Sequence, residues 1–240
     1  MDKRIVGLCM VMVGAALGCD DGGDGDGTTE VTLSGVAYTF NTPDPVAGAI
    51  IRIVEVPDAV ATSAADGSWS LTVRSEGELT PYVTHADHVT MHLQTFVDPP
   101  ATLERVYFQM VKPAVYDTLA LVLGITPDPA RCQIASTVSE KAIQTMTFAE
   151  FKAHGAHGVA DATVTMDPPG AAVVYFNEQV IPDKSRTTSS RDGGVVWTNV
   201  PPGRYTITAT HPTKAFAPIV IACEAGRFIN ANPPQGLREL

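Results

Sequence analysis

An all-β chain built as two sandwiches joined by a short helical segment is the fold this sequence predicts, and three observations predict it. One stretch occurs twice: Thr62–His85 reads TSAADGSWSLTVRSEGELTPYVTH and Thr188–His211 reads TSSRDGGVVWTNVPPGRYTITATH, ungapped at an offset of 126, with nine of twenty-four positions identical. Repetition of this kind sets architecture before any other signal does. Within it, Trp69, Leu71 and Val73 alternate with Ser68, Ser70, Thr72 and Arg74, and Tyr205, Ile207 and Ala209 alternate with Arg204, Thr206, Thr208 and Thr210. That is the period of a strand with one buried face. Finally, Asp66-Gly67, Asp192-Gly193 and Pro202-Gly203 break these runs with turn formers, and Pro202-Gly203 suits the centre of a type II turn, with Gly203 at positive φ. Each copy is therefore expected to be a β-hairpin. No comparable signal names a substrate.

Upstream, the similarity continues at an offset of 113, where Val46-Ala47-Gly48-Ala49-Ile50-Ile51 matches Val159-Ala160-Asp161-Ala162-Thr163-Val164. The second copy thus carries extra residues around Pro168 to Val180. The pattern of a strand, then [PV]-x-[GD]-A-x-[IV], then T-x-x-x-D-G-x-[WV], then G-x-[LY] resembles the carboxypeptidase regulatory-like domain over most of residues 31–112 and 131–230. The resemblance implies two transthyretin-like (prealbumin-like) β-sandwiches. It implies a fold far more than an activity, because the motifs are short and glycine-centred.

The elements follow in chain order. Lys3 and Arg4 precede the apolar run Ile5 to Leu17. That run is too short for a bilayer, which needs about 20 residues, and reads as a secretory leader over 1–18. Ala16-Leu17-Gly18-Cys19 resembles a bacterial lipobox, which would make Cys19 the lipidated first residue; ordinary cleavage nearby is the alternative. Residues 19–30, rich in aspartate and glycine, read as a flexible acidic tether, since glycine and like charges oppose compaction. The first sandwich is expected over 31–112, with strands near 31–40, 47–54, 67–74, 79–85 and 102–111. A helical linker is expected over 113–130. Pro113 stands in the helix's first turn, Val115, Leu119 and Val122 at helical spacing, and Gly124 at its end. The second sandwich takes 131–240. It opens with a strand from Cys132 to Val138 and a short helix with Thr147 and Glu150 as a capping box, Met146 and Phe151 as a staple, and Gly155 as its stop. Strands near 159–166, 171–176, 194–199, 204–210 and 217–223 complete it.

Four cysteines divide into one in the leader (Cys9), the lipidation candidate Cys19, and the pair Cys132 and Cys223. In an exported chain an even pair reads as a disulfide, worth about 4 to 5 kcal/mol in the chain-entropy model; two buried thiols are the alternative. The formal net charge of −10 excludes a basic footprint for nucleic acid and polybasic docking to anionic lipid. The histidines offer the one metal candidate: His85, His88 and His92 lie within eight residues, and imidazole suits zinc or copper. On one continuous strand His85 would face away from the other two, and only His85 recurs in the repeat, as His211. His154 and His157 read as a polar helix exit rather than half of a metal site. Ser189, Ser190, Asp192 and His211 tempt a triad reading, but serine and aspartate are turn formers here. Nucleophile-elbow, H-E-x-x-H, phosphate-loop and C-x-x-C signatures do not occur, and the motifs of transthyretin-like hydrolases and intradiol dioxygenases do not occur either.

The expectation is a non-catalytic, lipid-anchored module of the bacterial cell envelope, periplasmic or surface-facing. It needs no cofactor, is held to the membrane by its lipid, and contacts an envelope protein or polysaccharide. An envelope enzyme or metal-binding protein using the histidine cluster is the alternative. The insertion, with Tyr175-Phe176-Asn177-Glu178, is expected either to be a contact surface or to add a strand packed in the core.

Overall fold

The computed structural model describes residues 28–42 and 44–240. The leader, Cys19 and the glycine–aspartate run lie outside the described residues. Thr29 and Glu30, assigned above to the tether, belong instead to the first strand.

The first half runs β1 (Thr29–Thr39), β2 (Ile50–Ile53), β3 (Val60–Thr62), β4 (Ser68–Ser75), β5 (Glu78–Leu79), β6 (Pro81–His85), β7 (His88–His92), β8 (Phe96–Val97), β9 (Thr102–Leu103) and β10 (Phe108–Met110). Here β1 lies antiparallel to β4 and parallel to β9 and β10. Facing that sheet, β2 lies between β3 and β6, and β7 follows β6. Leu33, Trp69 and Phe108 from one sheet meet Ile51, Val83 and Met91 from the other in a single core.

After α1 (Pro113–Leu123), the second half runs β11 (Cys132–Ser139), α2 (Phe148–His154), β12 (Thr163–Asp167), β13 (Val174–Phe176), β14 (Pro182–Asp183), β15 (Gly194–Val200), β16 (Gly203–Thr210), β17 (Ile219–Cys223), β18 (Phe228–Ala231) and β19 (Leu237–Arg238). Its pairing follows the same scheme. β11 is antiparallel to β15 and parallel to β18 and β19, and β12, β16 and β17 form the facing sheet. Trp197 and Ile134 pack against Ile207 and Ile221 between them. Cys132 and Cys223 are joined by a disulfide with a Cα–Cα separation of 5.7 Å, tying one sheet to the other.

The repeated stretch is not a hairpin. β4 pairs with β1 while β6 pairs with β2 and β7, and β15 and β16 are divided in the same way between two sheets. Each copy is an arch that crosses the core. The reason lies in the alternation itself: both strands of each copy carry one apolar face, and crossing turns those two faces toward each other across a dry interior. Gly77 makes the crossing in the first half at φ 114. In the second half the left-handed residue is Asn199 (φ 51), and the positive φ expected of Gly203 does not occur. Asn199 is held in that conformation by its side chain. Its Oδ1 accepts from the backbone N–H of Asp128 and from Gln133 Nε2, its Nδ2 donates to the Thr126 carbonyl, and its own N–H donates to Gln133 Oε1.

The linker does not join the halves on its own. β18 lies parallel to β7, with Phe228 opposite Met91 and Ile229 opposite His92, so one ten-stranded sheet runs from β14 in the second half to β3 in the first. A second bridge is aromatic. Tyr38 and Tyr107 of the first half pack with Phe148 and Phe151 of α2, with Tyr38–Phe148 centroids 5.0 Å apart and Tyr107–Phe151 centroids 5.7 Å apart. Arg204 and Glu78, which occupy equivalent positions in the two copies, form a two-pronged ion pair.

The helices follow their local signals. α1 begins at Pro113 and ends at Gly124 in the left-handed conformation (φ 62). α2 carries the capping box, with the Thr147 N–H donating to Glu150 Oε2 at 2.8 Å and Met146 packed on the cluster that holds Phe151. Among the described residues, no helix is long and apolar enough to cross a membrane.

Candidate functional site: a cleft between the two halves

The residues that the repeat singles out build the scaffold. Ser63 is buried; its Oγ donates to the Val46 carbonyl at 2.6 Å and accepts from the Ala49 N–H at 2.9 Å. Ser189 repeats these bonds on the Val159 carbonyl and the Ala162 N–H, at the same distances. Gly67 and Gly193 both take φ 78, and a Cβ on either would lie 2.4 Å from a carbonyl oxygen of the neighbouring strand, that of Ala37 or Val138. His85 and His211 each accept a backbone N–H two residues on, at the strand end. A hydroxyl spent as Ser189 Oγ is spent is not a nucleophile, so Ser189, Asp192 and His211 form no triad.

The three clustered histidines separate, though not as one continuous strand would separate them. A turn at Ala86-Asp87 sets His85 opposite His88, and their Nδ1 atoms approach to 3.1 Å. His88 Nε2 meets Thr39 Oγ1 at 3.2 Å. Burial first, then the proximity of His85 and Lys112, lowers the His88 pKa. His92 lies elsewhere, stacked on Tyr82 with centroids 5.0 Å apart, at the seam between β7 and β18. Among the described residues, no group of three or more potential ligands converges on one point.

Segments that the halves do not share close a space over strands that they do. The outer face of β15, β11 and β18 forms a floor that includes Val196, Ala135 and Phe228. α1 roofs it with Tyr116, Leu119 and Leu123, the Tyr116 ring standing edge-on to Phe228 at 5.4 Å. The segment after α2 (Gly155 to His157) forms one wall, and Phe176 and Val180 of the insertion form another. The enclosed cleft measures about 480 Å³, within the range of small-molecule sites, which favour the seams between structural units. α1 is only partly seated: Leu123 is buried, whereas Leu121 is 79% exposed. The return of the chain from α1 is pinned by Asn199, which is itself held by Gln133 and bonds Thr126 and Asp128 beside the cleft floor.

The insertion is therefore a packed strand. Tyr175 enters the main core, where its hydroxyl accepts the Val164 N–H at 2.9 Å, and Phe176 packs with Leu123 and Val196. The expected exposure of this aromatic pair as a contact surface does not occur.

Ionisable groups also line the cleft. Asp66 and Asp192 hold equivalent turn positions, yet their surroundings differ. Asp66 is exposed, and the hydroxyl and N–H of Ser68 lower its pKa. Asp192 lies half-buried in the cleft wall, and burial raises its pKa against the opposing pull of the Gly194 N–H and His157. The cover is the segment after α2: the Gly158 N–H donates to the Arg191 carbonyl, and a Cβ on Gly158 would lie 2.3 Å from the Asp192 carbonyl carbon. Beside Asp192, His157 Nδ1 is 2.9 Å from the Gly155 carbonyl, and burial lowers the His157 pKa. His154 pairs with Glu140. Glu178 and Lys152 also line the cleft, and the Lys152 ammonium sits over the Phe148 ring, 5.5 Å from its centroid.

Sequence reasoning missed the cleft because its floor is the solvent side of three strands. The signal that could have found it is apolar residues on that side, Val196 and Phe228, where polar ones are expected.

No protein-family model matches the chain, and no curated protein matches it. Among solved structures it is similar to a type II cohesin–X-dockerin complex from Acetivibrio cellulolyticus, at 23% identity over 33% of this chain and 56% of that one, with a TM-score of 0.28. It is similar to the TIE protein of Bacillus anthracis at 12% identity, over 88% of this chain and 34% of that one, with a TM-score of 0.27. It is also similar to the shaft pilin of Lactobacillus rhamnosus GG at 10% identity, over 88% and 97%, with a TM-score of 0.26. The chain thus spans about half the length of the first of these and a third of the second. At such scores the likenesses say nothing about how this chain works.

Proposed function

We propose that this chain is an exported, non-catalytic binding module of the cell envelope, held by a lipid on Cys19, with the cleft under α1 as its ligand site. Two carboxypeptidase regulatory-like sandwiches, bounded near 31–112 and 131–240, supply the rigid frame. The leader, the acidic tether and the Cys132–Cys223 bond support export. The observation that carries the binding reading is that segments absent from the repeat, α1, the 155–157 loop and the 168–180 insertion, close over the outer face of the repeated strand β15 and leave one largely apolar cleft of about 480 Å³.

Nile red, a neutral apolar dye, tests the cleft. Its fluorescence is expected to rise on mixing with the full chain and to stay low with Leu119→Trp, which fills the space beneath α1. Equal fluorescence with both chains, or none with either, contradicts the reading. For the anchor, Cys19→Ser is expected to release the protein from the membrane fraction; unchanged partition contradicts lipidation.

A further inference from the structure

The cleft has a chemical polarity that narrows its ligand. Most of its lining is apolar, from Leu119 and Leu123 above to Ala135, Val196 and Phe228 below. The lining also carries Asp192, whose Oδ2 accepts the Gly194 N–H at 3.0 Å, and no basic side chain forms an ion pair with it among the described residues. Lys152, the cleft's own cation, is turned onto the Phe148 ring. His157 stands next to Asp192 with Nδ1 2.9 Å from the Gly155 carbonyl, and burial works against its charged form. Glu178 adds a second carboxylate to the lining.

A partly desolvated carboxylate without a counter-charge is costly and is relieved by a cation brought with the ligand. The equivalent Asp66 shows that the turn itself does not require this burial, because there the same residue type faces water. At Asp192 the segment after α2 packs on the turn through Gly158, and Phe176 packs beside Gly194.

We infer that the cleft binds a small molecule with an apolar or aromatic body and a protonated nitrogen at one end, the body lying between α1 and the outer face of β15, β11 and β18 and the nitrogen seated on Asp192. This rests on the cleft being a ligand site, and it adds the charge and orientation of the ligand. A carboxylate-headed ligand would meet two carboxylates, Asp192 and Glu178, and an alcohol would leave Asp192 without a counter-charge.

Three probes that share one ring system separate the possibilities: tryptamine, the neutral tryptophol and the acid indole-3-propionate, each titrated calorimetrically into the full chain. Tryptamine is expected to bind at least tenfold more tightly than tryptophol, with indole-3-propionate weakest. Asp192→Asn retains the acceptor for the Gly194 N–H, so the turn persists; it is expected to bring tryptamine to the tryptophol level and leave tryptophol unchanged. Leu119→Trp is expected to abolish binding of all three. Equal binding of amine and alcohol, or preference for the acid, overturns the inference while leaving the cleft a ligand site. Binding of none of the three, or binding unaffected by Leu119→Trp, overturns the inference together with the site. Thermal unfolding of both variants establishes that the chain remains folded.

Discussion

The two halves share a pairing scheme, a pair of clamped serines, a pair of left-handed glycines and a pair of strand-end histidines, yet the additions that wall the cleft belong to the second half. In the first half the chain passes from β1 through Pro45 and Val46 into β2. In the second, the 3-10 turn Lys141–Thr145 and α2 intervene at the corresponding place. After β2 the first half lays β3 beside it in the same sheet, whereas after β12 the second half sends β13 across to the free edge of β15. Both departures end beside α1. The lesson is that a frame stable enough to be used twice tolerates additions at its strand connections, and function is placed in those additions.

The disulfide separates the halves most strongly, since only the second has one. Replacing Cys132 and Cys223 by serine is expected to cost about 4 kcal/mol in chemical denaturation, which a 91-residue span places near the upper end of the chain-entropy range. The loss should disappear when wild type is measured under reducing conditions. An unchanged midpoint would mean that the bond contributes nothing to the second core.

Next in size is the seam between the halves. Burial, then the charge of Arg227, holds the His92 pKa down to about 4. The unfolded chain titrates near 6.5, so between these pH values it binds a proton that the folded chain refuses, and stability falls as pH drops through that window. The expected loss is about 3 kcal/mol in total, from the 1.36 kcal/mol carried by each pKa unit. His92→Phe, which keeps the stacking on Tyr82, should flatten the stability profile between pH 6.5 and 4. A variant as acid-sensitive as the wild type would move the effect away from the seam.

The serines test equivalence directly. Ser63→Ala and Ser189→Ala each leave a buried N–H and a buried carbonyl without their partner, and each is expected to cost about 2 kcal/mol. Similar losses support one shared frame; a loss in one half alone would break the parallel. The smallest effect concerns sign. With a lowered pKa, the Asp66 carboxylate stabilises the fold above its unfolded pKa, and that contribution is lost as pH falls through the folded value. With a raised pKa, ionised Asp192 works against the fold at neutral pH. Asp192→Asn should therefore raise the melting temperature at pH 7 and Asp66→Asn should lower it slightly; shifts of the same sign would contradict the difference in burial.

Much of the frame was legible in the residues because its signals are local. Alternation located β4 and β16, Thr147 and Glu150 located α2, and Gly124 located the end of α1. Pairing was less legible, because alternation states that a face is buried without stating what it is buried against, and so the arch read as a hairpin. β18 escaped notice because Ile229, Asn230 and Ala231 are all buried, which removes the alternation that marks a half-exposed strand. The cleft depends on that same strand and on long-range placement of α1, neither of which leaves a periodic trace.

The most direct test is whether one sheet spans both halves, since Phe228 of the cleft floor lies opposite Met91 of the first half across that seam. In isotopically labelled full-length protein, nuclear Overhauser contacts between backbone protons of Met91–His92 and Phe228–Ile229 are expected, together with slow amide exchange along β7 and β18. Absence of those contacts, with exchange protection intact inside each half, would mean two separate sandwiches with no sheet continuous between them.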